Sequence, residues 1–261
     1  MKKTGWIFIL ILLILFIIPA AHAAALTYNS AGIGGATGMI NTPAAKTGWE
    51  DADLAIDFGY HFIADNDFSH IPKISICFLK QAEVGFIYDA QDSGGDDFLF
   101  HVKWNFYNAG NAALAFGSTV QGIRYSRNDA IEPFGQIYFA FTYLGEFFGM
   151  PIQTSIVFGK TLGRGYYNSD LDFSMGFDLD LFPDFLQHYL HWINDFANYS
   201  YSVDPNGSTH ARRGSFSTGF RIAVLKGDDL LKLNIDLLMT DFFDEGDRSF
   251  ALGTTFGFGI L

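Results

Sequence analysis

The sequence predicts an all-β fold, a closed antiparallel transmembrane β-barrel of about 12 strands. Three observations predict it. The chain opens with a segment typical of exported proteins, apolar residues recur at every second position through most of the remainder, and those positions are rich in phenylalanine. Such alternation gives each strand one apolar and one polar face, which suits a sheet with lipid outside and a polar interior.

The first residues have the layout of a secretory signal peptide. Lys2 and Lys3 precede an apolar run at 6–18, and Ala21 and Ala23 provide the small residues of a cleavage site. An uncleaved membrane helix is the alternative, but the run is shorter than the roughly 20 apolar residues that a span requires. We therefore predict a signal peptide at 1–23, an outer-membrane β-barrel domain at 24–261, and location in the cell outer membrane.

Composition narrows the classes of protein further. The net charge is −12 and no basic patch stands out, which argues against nucleic acid as a partner. Cys77 is the single cysteine, so no intrachain disulfide can form. Mean hydropathy is only +0.16, as expected for a barrel whose polar lumen residues dilute the apolar average.

The period-two pattern is clear in the first long segment. Leu54, Ile56, Phe58, Tyr60 and Phe62 share one face, and the intervening residues are small or polar. About twelve such segments occur, many near the ten residues that a tilted strand needs to cross a bilayer. The predicted strands are 52–62, 71–79, 82–89, 96–106, 112–122, 135–144, 152–160, 169–181, 195–203, 214–225, 230–239 and 248–260.

A soluble β-sandwich also alternates, but the phenylalanine-rich face and the connections favour a barrel. Longer polar connections alternate with tighter ones, as in single-chain outer-membrane barrels. Strands in lipid must close, because unpaired edge groups cost several kcal/mol each in hydrocarbon. One connection departs from the rule: 184–194 has helical spacing, and we predict a short periplasmic helix or an irregular turn there or, alternatively, a distorted strand.

The polar faces of the strands supply the candidate functional residues, which we expect to face the lumen. They are Asp53, Asp57, Lys73, Asp89, His101, Lys103, Asp172, Asp178, Asp180, Arg221, Lys232 and Asp236. Their charges either pair with one another and stay hydrated or form an acidic pore that favours cations. Asp172, Asp178 and Asp180, on one strand, are the best local candidate for a charged constriction. Arg212 and Arg213, in a predicted outer loop, either contact anionic headgroups or saccharide or are simply solvated.

Residues 34–45, with the sequence GGATGMINTPAA, resemble the opening signature of YjbH-like outer-membrane proteins. The matching positions are Gly35, Gly38, Ile40, Pro43 and Ala45. The segments at 82–86, where Ala82 departs from the pattern, and at 97–103 resemble the strands that follow in that family. The resemblance implies an outer-membrane protein tied to exopolysaccharide production or export, without catalytic residues.

Three functions stay open at this point. The first is a non-enzymatic barrel that supports polysaccharide export or the passive passage of small solutes. The second is a structural or adhesive barrel with a closed lumen that binds a partner through its outer loops. The third is a barrel enzyme acting on lipid or glycan through a pair such as Ser75 and His101. We expect no cofactor and no metal, since His188 and His191 alone do not make up a ligand set. Outer-membrane lipid is the expected surrounding partner.

Overall fold

Outward apolar and inward polar residues alternate along twelve strands that close into a single sheet. The computed structural model describes residues 29–64, 68–92, 96–124, 131–163, 171–198, 214–226, 230–243 and 248–260. The predicted signal peptide, Arg212 and Arg213 lie outside these residues.

Two short strands, β1 (Ser30–Ala31) and β2 (Thr37–Gly38), pair with each other and precede the barrel. The barrel strands are β3 (Leu54–Ala64), β4 (Phe68–Phe78), β5 (Ala82–Gln91), β6 (Asp96–Ala109), β7 (Ala112–Arg124), β8 (Ile131–Phe147), β9 (Met150–Gly163), β10 (Asp172–Asp180), β11 (Leu190–Ala197), β12 (Ser215–Lys226), β13 (Leu231–Thr240) and β14 (Ser249–Ile260). The predicted fold class is confirmed.

Consecutive barrel strands pair antiparallel, and β14 pairs with β3 to close the sheet. Leu54 is opposite Ile260 at the end of the barrel where its chain begins and finishes, called here the terminal end. Ala64 is opposite Phe68 and Phe250 at the other end, called here the loop end. An even number of strands brings both chain ends of the barrel to the same side.

The two faces of the sheet differ as the alternation predicts. Phe58, Phe86 and Phe116 point outward and are each close to half exposed, whereas Asp57 and Lys103 point inward and are buried. Closure leaves no sheet edge unpaired, which is the condition for a sheet in hydrocarbon. The apolar exterior and the closed sheet are the features that a membrane-spanning barrel needs.

The predicted helix at 184–194 is too long. A single turn, α1 (Pro183–Leu186), is followed by β11, which begins at Leu190 rather than at the predicted residue 195. The apolar residues there also fit helical spacing, but from His191 onward successive side chains alternate between the inside and the outside. None of the described residues belongs to a helix long and apolar enough to cross a bilayer.

Tight cross-strand packing inside the barrel gives a first prediction. A Cβ on Gly117 would lie 2.2 Å from Cζ of Tyr138, its buried cross-strand neighbour. We expect Gly117→Ala to destabilise the barrel by about 1–3 kcal/mol, the usual cost of overpacking. Urea unfolding in detergent, followed by tryptophan fluorescence, measures this. Gly135→Ala is the matched control, because its nearest neighbour would be 3.9 Å away; equal losses in the two variants would contradict the prediction.

Candidate functional site

The interior of the barrel contains all but one of the predicted lumen residues. Their side chains are buried on the inward faces of the strands: Asp57, Lys73, Asp89, His101, Lys103, Asp172, Asp178, Asp180, Arg221, Lys232 and Asp236. Asp53 is the exception. It precedes β3 at the terminal end, its side chain is 67% exposed, and its carboxylate is 3.8 Å from Lys80 Nζ. The predicted strand began at residue 52, whereas β3 begins at Leu54, so Asp53 lies before the sheet.

Residues 29–53 are called here the inserted segment; they lie inside the barrel up to about Trp49, whereas Asp51 and Asp53 are exposed at the terminal end. Ile33, Met39 and Ile40 are each only 1% exposed, and Ala44 and Ala45 are completely buried. The residues that carry the YjbH-like resemblance, Gly35, Gly38, Ile40, Pro43 and Ala45, all belong to this segment. The sequence analysis did not predict that the segment fills the lumen.

Both limbs of the inserted segment are held at the terminal end by one lysine. Lys232 Nζ is 2.8 Å from Asp57 Oδ2 and donates to the backbone oxygens of Asn29 at 3.2 Å and Gly48 at 3.3 Å. Trp49 Nε1 donates to the other oxygen of Asp57 at 2.8 Å. The segment therefore enters and leaves the barrel at the same end.

A second anchor surrounds Glu83, which the sequence analysis did not select. Its carboxylate accepts from the backbone N–H of Thr37 at 2.8 Å and lies 3.1 Å from both Lys103 Nζ and His101 Nε2. Lys103 in turn donates to the backbone oxygens of Thr37 and Lys46. The ion pair of Lys103 with Glu83 is fully buried, and hydrogen bonds with the backbone of the inserted segment partly replace the water that these charges lose.

Arg221 forms the third anchor. Its guanidinium makes a bidentate pair with Asp236, at 2.8 and 3.1 Å, and donates to the backbone oxygen of Gly38 at 3.0 Å. Asp178 lies 3.9 Å from the same guanidinium and accepts from His191 at 2.8 Å. A planar, five-donor guanidinium suits this shared geometry better than an ammonium would.

Other inner-wall groups bind the middle of the inserted segment. Lys73 Nζ donates to the backbone oxygens of Gly32 at 2.6 Å and Ile33 at 3.0 Å. On the opposite side, the carboxylate of Asp195 accepts from the backbone N–H groups of Asn41 and Thr42. The wall thus satisfies both the donors and the acceptors of a backbone that has little sheet structure of its own.

The three aspartates of β10 do not converge into a constriction. Asp172, at the loop end, accepts from Gln136 at 2.7 Å and Thr161 at 2.6 Å. Asp178 belongs to the Arg221 cluster, and Asp180 pairs with His188 near the terminal end. Eight residues of strand separate the first aspartate from the last, a distance of about 26 Å. Asp178 and Asp180 thus face ionisable side chains, whereas Asp172 is bonded to neutral ones.

The sequence analysis missed Glu83, Asp195, His61 and His191 among the buried polar groups of the wall. Each sits at an inward position of its strand, so the period-two rule applied at every position would have selected them. The pairing of wall side chains with the inserted segment joins residues up to 203 positions apart and has no local pattern.

Neither the enzyme pair of Ser75 and His101 nor a metal site at His188 and His191 forms in the described part of the chain. His101 Nε2 faces Glu83, and Ser75 Oγ makes no hydrogen bond. His188 and His191 each face a different aspartate. No group of three or more metal-ligating side chains was found among the described residues.

The space left beside the inserted segment includes two clefts at its innermost part. One, of about 260 Å³, is lined by Asn41, Pro43, Gln136 and Asp172 among others. The other, of about 270 Å³, is lined by Gly34, Ala36 and Thr119 among others.

Solved structures with a similar fold are bacterial barrels. The KdgM porin in complex with disordered oligogalacturonate has a TM-score of 0.51 at 8% identity, covering 79% of this chain and 99% of that one. The NanC porin has a TM-score of 0.52 at 8% identity, covering 78% and 100%. The Acinetobacter baumannii outer membrane protein Omp33 reaches 0.46 at 9% identity, covering 80% and 98%.

At these identities the likeness shows the fold alone. No protein-family model and no curated protein matches this sequence. The YjbH-like resemblance therefore stays a prediction that rests on the residues already given.

Proposed function

We propose that this chain is a non-enzymatic outer-membrane β-barrel that passes polar solutes through its lumen, and that the arrangement described here is its closed state. The proposal rests on one observation: the twelve-stranded barrel has an apolar outer face and an inner wall of charged and hydrogen-bonding side chains. Barrels of about eight strands are filled by their own side chains, whereas twelve leave space that must be occupied by a chain segment, solute or water.

The wall chemistry favours hydrophilic solutes, either small molecules or saccharide chains. Lys73, Lys103, Arg221 and Lys232 donate to carbonyl oxygens in the lumen, and Glu83 and Asp195 accept from N–H groups. Saccharide hydroxyls offer both donors and acceptors and match such a wall. The similar fold of a porin solved in complex with oligogalacturonate supports saccharides as a class.

A role in exopolysaccharide production or export rests on the resemblance of residues 34–45 to YjbH-like proteins. Deletion of the gene is expected to lower secreted polysaccharide, measured as total sugar in the culture supernatant, and the intact gene is expected to restore it. Unchanged polysaccharide with lost solute uptake would favour general solute passage instead.

A structural barrel with a permanently closed lumen is the second candidate, and the inserted segment is the observation that favours it. Such a protein would bind a partner through its outer loops and would never conduct. Uptake of small sugars into cells that produce the intact chain separates the two candidates, because only the solute-passing barrel accelerates it.

The proposal predicts that a barrel without residues 30–48 conducts ions. The deletion places Asn29 next to Trp49 without stretching the chain, because the backbone oxygens of Asn29 and Gly48 already share Lys232 Nζ. In planar bilayers we expect a rise in conductance of at least tenfold over the intact chain. Fractionation with the outer membrane and a heat-dependent shift on gels verify the folded barrel; a folded deletion variant without conductance would overturn the solute-passing function.

A further inference from the structure

An arc of apolar side chains faces inward towards the loop end of the barrel, where a water-filled pore would have polar residues. It consists of Ile63, Ile71, Ile87, Leu99, Ile193 and Leu238, and is called here the apolar arc. Strand register joins its members: Leu238 is opposite Ala251, which is opposite Ile63, and Ile87 is opposite Leu99. The arc therefore spans neighbouring strands instead of being a set of isolated apolar positions.

Two isoleucines of the inserted segment complete the arc. Ile33 and Ile40 lie in the same apolar cluster, and Ile33 N–H donates to the backbone oxygen of Ile40 at 2.8 Å. This bond holds the two side chains at the tip of the inserted segment. Apolar constrictions in channels exclude water and ions, and the contact of the tip with the apolar arc has this chemistry.

The remaining contacts allow the segment to leave the lumen as a unit. Its backbone-to-backbone hydrogen bonds are internal, such as Met39 N–H to Thr42 O and Ala44 N–H to Thr37 O; among described residues, the bond from Leu79 N–H to Asp53 O joins it to barrel backbone. Other backbone bonds of the segment go to side chains of the wall. The barrel closes by its own strand pairing. Because both limbs pass Lys232, withdrawal through the terminal end needs no threading of the chain.

We propose that residues 29–48 form a gate whose latch is the insertion of Ile33 and Ile40 into the apolar arc, and that the lumen opens when this segment withdraws towards the terminal end. This inference rests on the proposed solute-passing function and adds to it the barrier and the direction of opening. The charged anchors fix the position of the segment, while water can replace their hydrogen bonds once the latch is released.

A disulfide lock in the full-length chain tests the gate. Ala45 N–H donates to Thr142 Oγ1 at 2.7 Å, so this contact places the inserted segment directly against β8 of the wall, where a disulfide would tie the two together. Ala45→Cys with Thr142→Cys is made in a Cys77→Ser background, because Cys77 is otherwise a free thiol. Oxidation is expected to abolish channel openings and reductant to restore them, with the Cys77→Ser protein alone insensitive to both.

Substitutions of Ile33 and Ile40 test the latch. Ile33→Ser with Ile40→Ser is expected to raise the open fraction in bilayer recordings by roughly tenfold or more. The burial of even one isoleucine shifts the equilibrium between open and closed lumen by about that factor. Ile33→Leu with Ile40→Leu keeps the apolar contact and is expected to stay close to the intact chain. A heat-dependent gel shift verifies that each variant is folded.

The outcomes separate this inference from the function on which it rests. If the oxidised lock conducts like the reduced protein, the gate is wrong even though a conducting 30–48 deletion still supports solute passage. If the serine pair opens no more often than the leucine pair, the latch is wrong. If the deletion barrel fails to conduct, the proposed function fails first.

Discussion

Arg221→Met is expected to lower the free energy of unfolding by about 3–5 kcal/mol, the usual cost of removing one partner of a buried ion pair. Arg221 is completely buried and binds Asp236 with two hydrogen bonds. Methionine fills a comparable volume but leaves the carboxylate without its counter-charge. The same change removes a donor from Gly38 O, so the inserted segment loses an anchor as well.

Urea titration in detergent, followed by tryptophan fluorescence, measures the loss. Arg124→Met is the matched control, because Arg124 and Asp96 lie 3.8 Å apart with both side chains partly exposed. Exposed pairs contribute only about 0–1 kcal/mol, so the control is expected to unfold almost as the intact chain does. A difference between the two variants below about 1 kcal/mol would show that Asp236 finds other solvation.

The barrel was predictable because the burial of apolar side chains against lipid leaves a short repeat in the sequence. A strand with lipid on one side must carry apolar residues at every second position, and segments such as 54–62 show this directly in the sequence. Strand order then follows from connecting neighbours antiparallel around a closed sheet. The error at β11 arose where Ile193 and Asn194 reverse the usual alternation, since the isoleucine faces inward towards the apolar arc.

The inserted segment was not predictable in the same way. Its small residues, including Gly32, Gly35 and Gly38, give no period, and its partners are spread over the wall. The structure shows why glycine is needed at two of these positions. Gly35 has φ near +87°, and Gly38 lies so close to Thr42 O that a side chain would clash. The glycines of the resemblance to YjbH-like proteins are therefore explained by packing in the lumen.

Once the gate is removed, the charge of the wall determines which ions pass. The buried side chains of the barrel strands include nine carboxylates, against four from lysine and arginine. Asp89 and Asp97 are direct cross-strand neighbours near the loop end, whereas the basic residues lie deeper and each donates to the inserted segment. The open lumen therefore has an acidic mouth and a net negative wall among the described residues.

We expect the 30–48 deletion barrel to prefer potassium over chloride by roughly fivefold or more in a gradient centred on 0.1 M salt, since rings of acidic side chains favour cations. The reversal potential measures this ratio. Asp89→Asn with Asp97→Asn is expected to lower it at least twofold, while Asp53→Asn, at an exposed carboxylate outside the lumen, leaves it unchanged.

Salt concentration provides the internal check on the cause of this selectivity. The Debye length falls from about 10 Å at 0.1 M to about 3 Å at 1 M, so fixed wall charges act over a much shorter distance in concentrated salt. The preference for potassium is therefore expected to shrink towards unity at 1 M. A preference for chloride at low salt would mean that the four basic side chains, freed from the carbonyl oxygens of the inserted segment, outweigh the carboxylates and make anions the natural solutes of this lumen.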